Sequence, residues 1–501
     1  MIDTLARRAD HSLEMTSRIR ARAETPDFLS GFLLWRRAKV RLLPALFFYV
    51  KEKELDNMDF LNGKVKSLYF KYLASAFGSA LITSIYSIVD MAMVGQYHGP
   101  EGTAALAVVA PVWNLIYSLG LLMGIGGSVL FGICRGKGGA EERRSNEYFT
   151  VSVIGSVLLA LAAWLLILLF DRELLLFFGA DASTLELAME YIFPVKFVIP
   201  CFLFTQTLAA YLRNDKNPAL ATAAVLSGGI FNIFGDYFFV FVCDMGARGA
   251  GLATAVGAVI SILVMVSHFF MKKNTLRLVR PSGLLRKFRE ILVTGFSTFF
   301  IDIAMGVLTI LFNRQIMAYL GTDALSVYGV IVNVSTFVQC CAYSVGQASQ
   351  PVISANFGAG KGGRIRQTLK YALATAAVFG IIWTALCLAI PNQFIRIFMD
   401  PTENVLKIAP AIIRGYGISF LLLPLNIFST YYFQAIIRPQ AAFIVSISRG
   451  LVISGILILL LPAAAGGGAV WYAMPVTEAV VAVYVVCMMI RYTKGLTTQK
   501  V

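Results

Sequence analysis

The sequence predicts an all-α integral membrane protein with twelve transmembrane helices in two pseudo-symmetric six-helix lobes. Composition is the first reason: the 501 residues are 58% hydrophobic and 14% charged, which is too apolar for one aqueous core. Long apolar runs are the second. The third is an internal repeat, because Gly136-Lys137-Gly138-Gly139 returns as Gly360-Lys361-Gly362-Gly363. The chain is therefore expected to consist of two related halves in a lipid bilayer.

Other matches keep the two halves in register. Gly102–Leu106 corresponds to Gly321–Leu325, and Arg213 with Pro218 corresponds to Arg438 with Pro439. A period of roughly 220 residues is far longer than a solenoid repeat and indicates a duplicated domain. An even number of spans in each copy gives both copies the same orientation, as in parallel-repeat transporters.

The chain divides into three predicted regions. Residues 1–57 form a polar extension with one apolar stretch, 42–50, too short to span a bilayer. No signal-peptide pattern opens the chain. Met58 begins the apolar part of the chain, and purine-rich codons for Lys53-Glu54 would resemble a bacterial ribosome-binding site, so we expect translation to start at Met58, leaving the extension untranslated. A disordered or amphipathic tail is the alternative. Residues 58–275 are predicted to form the N-terminal six-helix lobe, and residues 276–501 the C-terminal six-helix lobe.

Windows of about 20 apolar residues predict the spans, six in each half. They lie near residues 68–94, 104–131, 148–170, 187–212, 219–242, 250–271, 290–318, 324–352, 371–391, 408–436, 441–462 and 469–490.

The distribution of Lys and Arg in short loops predicts the orientation of these spans. One side of the membrane collects the basic stretches 135–144, 213–216, 272–289, 361–370 and 491–494, together with Arg438. By the positive-inside rule this side is the cytoplasm, so both termini are expected inside a multi-pass protein of a bacterial cell membrane. This topology accounts for the formal net charge of +15, and no nucleic-acid partner is predicted.

The sequence gives little support to an enzyme. Seven cysteines occur without CxxC spacing, and the three histidines, His11, His98 and His268, lie outside the spans or at their ends. These patterns indicate neither a disulfide framework nor a zinc site. Because no catalytic His/Asp or Ser/His arrangement appears, we expect no catalytic residue and no resident cofactor.

Polar residues inside the first-half spans are the main functional candidates, because charges within a bilayer are costly. Asp90 lies in the outer third of the first span, and Asp236 lies in the fifth. Asn232 precedes Asp236 by four residues, so both share one helix face. Thr254 in the sixth span adds a hydroxyl at comparable depth.

These four side chains offer only oxygen ligands of the kind that suits a hard monovalent cation or a proton. The alternative is that each acid hydrogen-bonds a neighbouring helix. The corresponding second-half positions fall near Asn313, Leu457 and Ala473. Because only the first half carries the carboxylate set, a role common to both halves is disfavoured.

Asp302 in the seventh span and Glu478 in the twelfth form a weaker candidate, a second-lobe polar site. Arg449 in the eleventh span is interpreted as a structural cation that pairs with carbonyls or an acid. The membrane aromatics are interpreted mainly as packing residues, and the lining of a chamber for flat cations through cation–π contact is the alternative for some of them.

At these residues the chain resembles the multidrug and toxic compound extrusion (MATE) family. The matching features are the run 88–95, the two Gly/Lys loops, the pair Asn232 and Asp236, and the run 249–254. The resemblance covers residues 60–495, and its motifs are specific mainly through their order and spacing.

The resemblance implies a V-shaped bundle of two six-helix lobes that alternates between outward- and inward-facing states. It implies export of organic cations or drugs in exchange for incoming H⁺ or Na⁺, with cation-site roles at Asp90, Asn232, Asp236 and Thr254. The coupling ion would be the only ion required, and the protein would act as a monomer in the bilayer. A flippase for lipid-linked oligosaccharide of the same superfamily is the alternative, which fourteen spans and a cationic cavity would favour.

Overall fold

The computed structural model describes residues 59–181, 184–399 and 401–496. The extension 1–57, with the expectation about its translation, lies outside these residues. All regular secondary structure in the described part is helical, which confirms the predicted fold class.

Twelve helices within the described ranges are long and apolar enough to cross a membrane, as the hydropathy windows predict. They are α1 (Val65–His98), α2 (Glu101–Lys137), α3 (Glu141–Phe177), α4 (Thr184–Asn214), α5 (Pro218–Val242), α6 (Gly246–Phe270), α7 (Leu284–Tyr319), α8 (Thr322–Gly358), α9 (Gly362–Ala389), α10 (Glu403–Ala435), α11 (Pro439–Ala465) and α12 (Gly467–Gly495). A short helix, Pro391–Phe398, lies between α9 and α10.

Helix starts and interruptions recur at corresponding places in the two halves. Proline occupies the first turn of α5 and of α11, where its missing N–H costs nothing. A 3₁₀ turn interrupts α4 at Lys196–Val198 and α10 at Ile418–Leu421. In both helices a proline follows within a few residues, and proline removes an intrahelical hydrogen bond. The repeat in the sequence is thus also a repeat in local geometry.

The two lobes meet closely where α2 crosses α8. A methyl group at Gly136 would lie 1.9 Å from the carbonyl oxygen of Ala355. A methyl group at Gly358 would lie 2.0 Å from the carbonyl oxygen of Ile133. Only glycine permits this approach, and both positions adjoin the basic loops that the repeat identified. We call this end of the bundle the basic end.

The leading segment, residues 59–64 before α1, is held by side chains of the second half. Asn356 Nδ2 donates to the carbonyl oxygen of Phe60 at 2.9 Å. Lys361 Nζ donates to the carbonyl oxygen of Leu61 at 3.0 Å. Arg364 Nη2 donates to the same Phe60 oxygen at 2.9 Å and to that of Gly63 at 2.6 Å. The second repeated Gly/Lys loop therefore binds the start of the first half.

The connecting segment, residues 271–283 between α6 and α7, is held by side chains of the first half. Arg135 Nη2 donates to the carbonyl oxygen of Thr275 at 2.9 Å. The backbone N–H of Arg277 donates to Asn146 Oδ1 at 3.1 Å, and that of Val279 donates to Thr150 Oγ1 at 3.0 Å. Each lobe thus holds the segment that leads into the other.

Candidate functional site

The predicted first-half residues lie together where α1, α4, α5 and α6 meet. Two glycines allow α5 and α6 to approach there: a methyl group at Gly228 would lie 2.4 Å from the carbonyl oxygen of Gly257, and one at Gly257 would lie 2.8 Å from that of Gly228. Asn232 is four residues after Gly228, and Thr254 is three residues before Gly257. The close crossing therefore places Asn232 and Thr254 within hydrogen-bond reach.

A continuous chain of hydrogen bonds joins all four predicted residues. Asn232 Nδ2 donates to Thr254 Oγ1 at 2.9 Å and to Asp236 Oδ1 at 3.4 Å. Thr254 Oγ1 lies 3.4 Å from Tyr191 Oη, which donates to Asp90 Oδ2 at 2.6 Å. Each hydroxyl accepts one bond and donates one. Between Asn232 and Asp90 the donors therefore all point towards Asp90, and Asn232 also donates to Asp236.

Three oxygen atoms of this site have no hydrogen-bond partner among the described residues. They are Asp90 Oδ1, Asn232 Oδ1 and Asp236 Oδ2. All three side chains are buried, and Asp236 is 0% exposed. Buried polar atoms almost always have partners, so these oxygens could bind a proton or a hard cation.

Tyr191 was not predicted as part of the site. It lies in α4, is buried, and supplies the hydroxyl between Asp90 and Thr254. The motif Tyr191-Ile192-Phe193-Pro194 reads as an apolar stretch with a proline. The sequence signal was therefore only the position of one tyrosine in a span, and it did not distinguish a packing residue from a site residue.

The two second-lobe candidates lie in different surroundings. Asp302 in α7 accepts a hydrogen bond from Tyr343 Oη at 3.2 Å, and its Oδ2 has no partner in the described part of the chain. Glu478 in α12 is fully buried and binds Arg449 Nε at 2.6 Å and Asn426 Nδ2 at 2.6 Å. Both Glu478 oxygens are therefore occupied, and Asp302 is the open carboxylate of this lobe.

The comparison with protein families matches both halves. The MatE family model matches residues 75–238 and again residues 297–459. The chain belongs to the MatE family. The predicted resemblance is thereby confirmed, and each matched segment contains one copy of the internal repeat.

Known relatives and structures agree with this membership. The multidrug export protein MepA of Staphylococcus saprophyticus is 24% identical over 389 residues, which cover 76% of this chain and 84% of that protein. MepA of Staphylococcus aureus is 23% identical over 395 residues, covering 78% and 86%.

Solved structures of MATE proteins share the fold of this chain. The outward-facing conformation of a multidrug resistance MATE family transporter superimposes with a TM-score of 0.80 at 20% identity, over 89% of this chain and 99% of that one. A MOP superfamily transporter from Pyrococcus furiosus gives a TM-score of 0.81 at 20% identity, covering 88% and 98%.

Proposed function

We propose that this MatE protein is a cation-coupled antiporter that exports drugs or organic cations by alternating access and takes up H⁺ or Na⁺ in exchange. The partnerless oxygens of Asp90, Asn232 and Asp236 carry this proposal. The relatives are named multidrug export proteins, which supports the class of exported compound. A single monomer contains the whole proposed coupling site.

The proposed coupling follows from the cost of buried charge. Asp90 and Asp236 are both buried in the first lobe and belong to one hydrogen-bonded chain, and two ionised carboxylates there would repel each other and be expensive to desolvate. An incoming cation or proton removes part of this cost by supplying the partner that the oxygens lack. Its release towards the other side restores the repulsion, so binding and release can favour different arrangements of the lobes.

Tyr191, Thr254 and Asn232 would position the carboxylates during this cycle. Tyr191 and Asn232 each donate to one acid, at 2.6 Å and 3.4 Å, while Thr254 joins them. Binding of a cation or proton at Asp90 can therefore change the hydrogen bonding of Asp236 through the three side chains between them. Asp302 is a separate second-lobe candidate, and Glu478 is neutralised there by Arg449.

The proposed orientation places the basic end in the cytoplasm, with both chain termini on that side of the cell membrane. The outer part of α1 then carries Asp90 towards the exterior, where the coupling ion enters. The twelve helices and the acids of the first lobe give no support to an oligosaccharide flippase.

Transport by purified protein in proteoliposomes tests the proposal. A cationic fluorescent dye is loaded, and either a pH gradient or a Na⁺ gradient is imposed across the membrane. We expect one of the two gradients to drive dye movement against its concentration gradient, and this result identifies the coupling ion. Equal dye movement with and without both gradients would overturn the antiport mechanism.

A further inference from the structure

The stretch between the lobes carries an unusual density of positive charge. Residues 270–289, here called the connecting surface, hold no Asp or Glu but seven basic residues: Lys272, Lys273, Arg277, Arg280, Arg286, Lys287 and Arg289. Of these, Arg286 and Lys287 each pair with a carboxylate, and the other five make no ion pair with any carboxylate of the described residues. Orientation in the membrane requires basic residues somewhere on this side, but not unpaired ones in one continuous surface.

Hydrogen bonds fix the backbone of this surface, whereas the side chains of Arg277, Leu278 and Arg280 are exposed. Besides the bonds from Arg135, Asn146 and Thr150, the N–H of Thr275 donates to Asp215 Oδ2 at 3.0 Å. Leu276 points inward and is 2% exposed. Its neighbours Arg277 and Leu278 consequently point outward from a backbone that does not depend on their side chains.

Large apolar side chains alternate with the cations on the outward face. Phe270 is 86% exposed, Leu278 67% and Leu285 82%. Apolar side chains at the ends of membrane helices, next to unpaired cations, are typical of a segment that lies at the headgroup level. The leucines would contact acyl chains, and the arginines would remain among the headgroups.

A cavity of about 540 Å³ opens beside this surface, between the start of α3 and the start of α7. Its basic residues are Arg143, Arg144, Arg286 and Lys287, and its acidic residues are Glu141, Glu147 and Glu290. Lys287 pairs with Glu147 at 2.8 Å at the base, whereas Arg143 is mostly exposed at the rim and lies 3.9 Å from Glu147. The cavity retains a net positive charge and is large enough for a headgroup.

We propose that the connecting surface and this cavity bind anionic phospholipids of the leaflet at the basic end. Arg277 and Arg280 of the connecting surface and Arg143 at the rim of the cavity supply positive charge to the headgroups, and the acyl chains contact Leu278 and Leu285. A basic cluster directly beside a membrane helix attracts anionic headgroups. Because the connecting segment is held by the first lobe and leads into the second, the bound lipid touches both. This inference requires the chain to span a membrane and is independent of the coupling ion.

Native mass spectrometry of the purified full chain tests the proposal. Phosphatidylglycerol and phosphatidylcholine are titrated separately into the wild type, the double variant Arg277→Gln/Arg280→Gln, and the control Lys64→Gln/Lys66→Gln. The control removes two exposed charges from the same end outside the connecting surface. We expect the wild type and the control to prefer phosphatidylglycerol. The double variant should lose this preference by about fivefold for each charge removed.

Two results would overturn the proposal. One is an unchanged preference for phosphatidylglycerol in the double variant and in Arg143→Gln. The other is full displacement of the lipid by soluble glycerol phosphate at an equal concentration, which would indicate a site for a free anion. The substituted side chains are exposed, and an unchanged thermal transition of each variant shows that its fold is intact.

Discussion

At the scale of single residues, Asp90 and Asp236 are expected to be indispensable for coupling. Asp236→Asn and Asp90→Asn keep the side-chain volume but remove the charge. Since each charge that moves with the field is worth about 2.3 kcal/mol per 100 mV, a neutral amide cannot use this source. We expect gradient-driven dye efflux to collapse in both variants while membrane expression stays normal. Proteoliposome assays with equal amounts of protein measure this.

Glu190→Gln is the matched control, because Glu190 is an exposed acid of α4 beside Tyr191. It should reduce efflux only mildly. Wild-type efflux by Asp236→Asn would show that the first-lobe site is wrongly assigned. Asp302, whose Oδ2 has no partner among the described residues, would then be the leading candidate.

Tyr191 gives a second residue-level prediction. Tyr191→Phe retains the ring but removes the donor to Asp90 at 2.6 Å and the link to Thr254. Hydrogen bonds to charged groups contribute about 1.5–3 kcal/mol, so we expect efflux to fall by about tenfold or more. Tyr237→Phe, on the exposed side of α5, should transport normally. Equal initial rates for the two variants would remove Tyr191 from the site.

The buried pair of Arg449 and Glu478 is expected to matter for stability. Glu478→Gln leaves the Arg449 guanidinium with a neutral partner, and both side chains are 2% exposed or less. Breaking such a buried ion pair costs about 3–5 kcal/mol of folding free energy. Thermal denaturation followed by fluorescence-detected size exclusion should show a lower transition temperature. The double variant Arg449→Met/Glu478→Met should recover most of the loss. A transition temperature as low as that of the single variant would contradict this.

Sequence reasoning located individual polar residues better than their partners. Asn232 and Asp236 could be placed on one face because both belong to α5 and are four residues apart. The bond from Tyr191 to Asp90 joins α4 to α1, and the pair Arg449 and Glu478 joins α11 to α12. Contacts between helices depend on their rotation and crossing, and a hydropathy pattern does not determine either. The sequence therefore did not single out Tyr191, and it predicted that Arg449 pairs with carbonyls or an acid without naming Glu478, its partner in the structure.

At the scale of helices, the crossing of α2 and α8 predicts a strict requirement for glycine. Gly136→Ala and Gly358→Ala would each bring a methyl group to about 2 Å from a backbone oxygen, so the helices must separate at the basic end. We expect lower thermal stability and impaired transport. Gly329→Ala in α8 is the control because nothing lies within 4 Å of the added methyl group. If Gly136→Ala and Gly329→Ala behave alike, the close crossing is not required.

The sequence predicted the number and centres of the helices but not their ends. Apolar windows mark the part of a helix that lies in hydrocarbon, whereas α2 continues to Lys137 and α3 starts at Glu141. The short helix Pro391–Phe398 was missed because eight residues are too few for a hydropathy window. The interruption of α4 had a visible cause in Pro200. The π turn at Tyr237–Val242 follows no proline, and no local pattern indicated it.

At the scale of the whole molecule, the parallel arrangement of the lobes predicts that both Gly/Lys loops face the cytoplasm. In a variant without the seven native cysteines, Lys137→Cys and Gly363→Cys should be labelled by an impermeant reagent only after the cells are opened. The reason is that both loops lie at the basic end. Arg248→Cys, at an exposed position near the start of α6 at the opposite end of the bundle, is the positive control for labelling from outside. Labelling of either loop in intact cells would contradict the topology.

The duplicated sequence was sufficient to predict two six-helix lobes, whereas the boundary at residues 275 and 276 stays a prediction. The sequence did not predict that each lobe hydrogen-bonds the segment that leads into the other lobe. The hydrogen bonds of the leading segment join residues about 300 positions apart, and neither repeat periodicity nor charge indicates which carbonyl groups a loop will bind.

The leading segment can be held only after its hydrogen-bond donors Asn356, Lys361 and Arg364 have been synthesised, and this order has a consequence for biosynthesis. With a separation of 300 residues and synthesis at about 5–20 residues per second, the leading segment waits roughly 15–60 s for its partners to leave the ribosome. The six helices of the first lobe therefore enter the membrane before their own beginning is secured. A ribosome stalled before residue 356 should leave the leading segment open to protease, and completion of the chain should protect it.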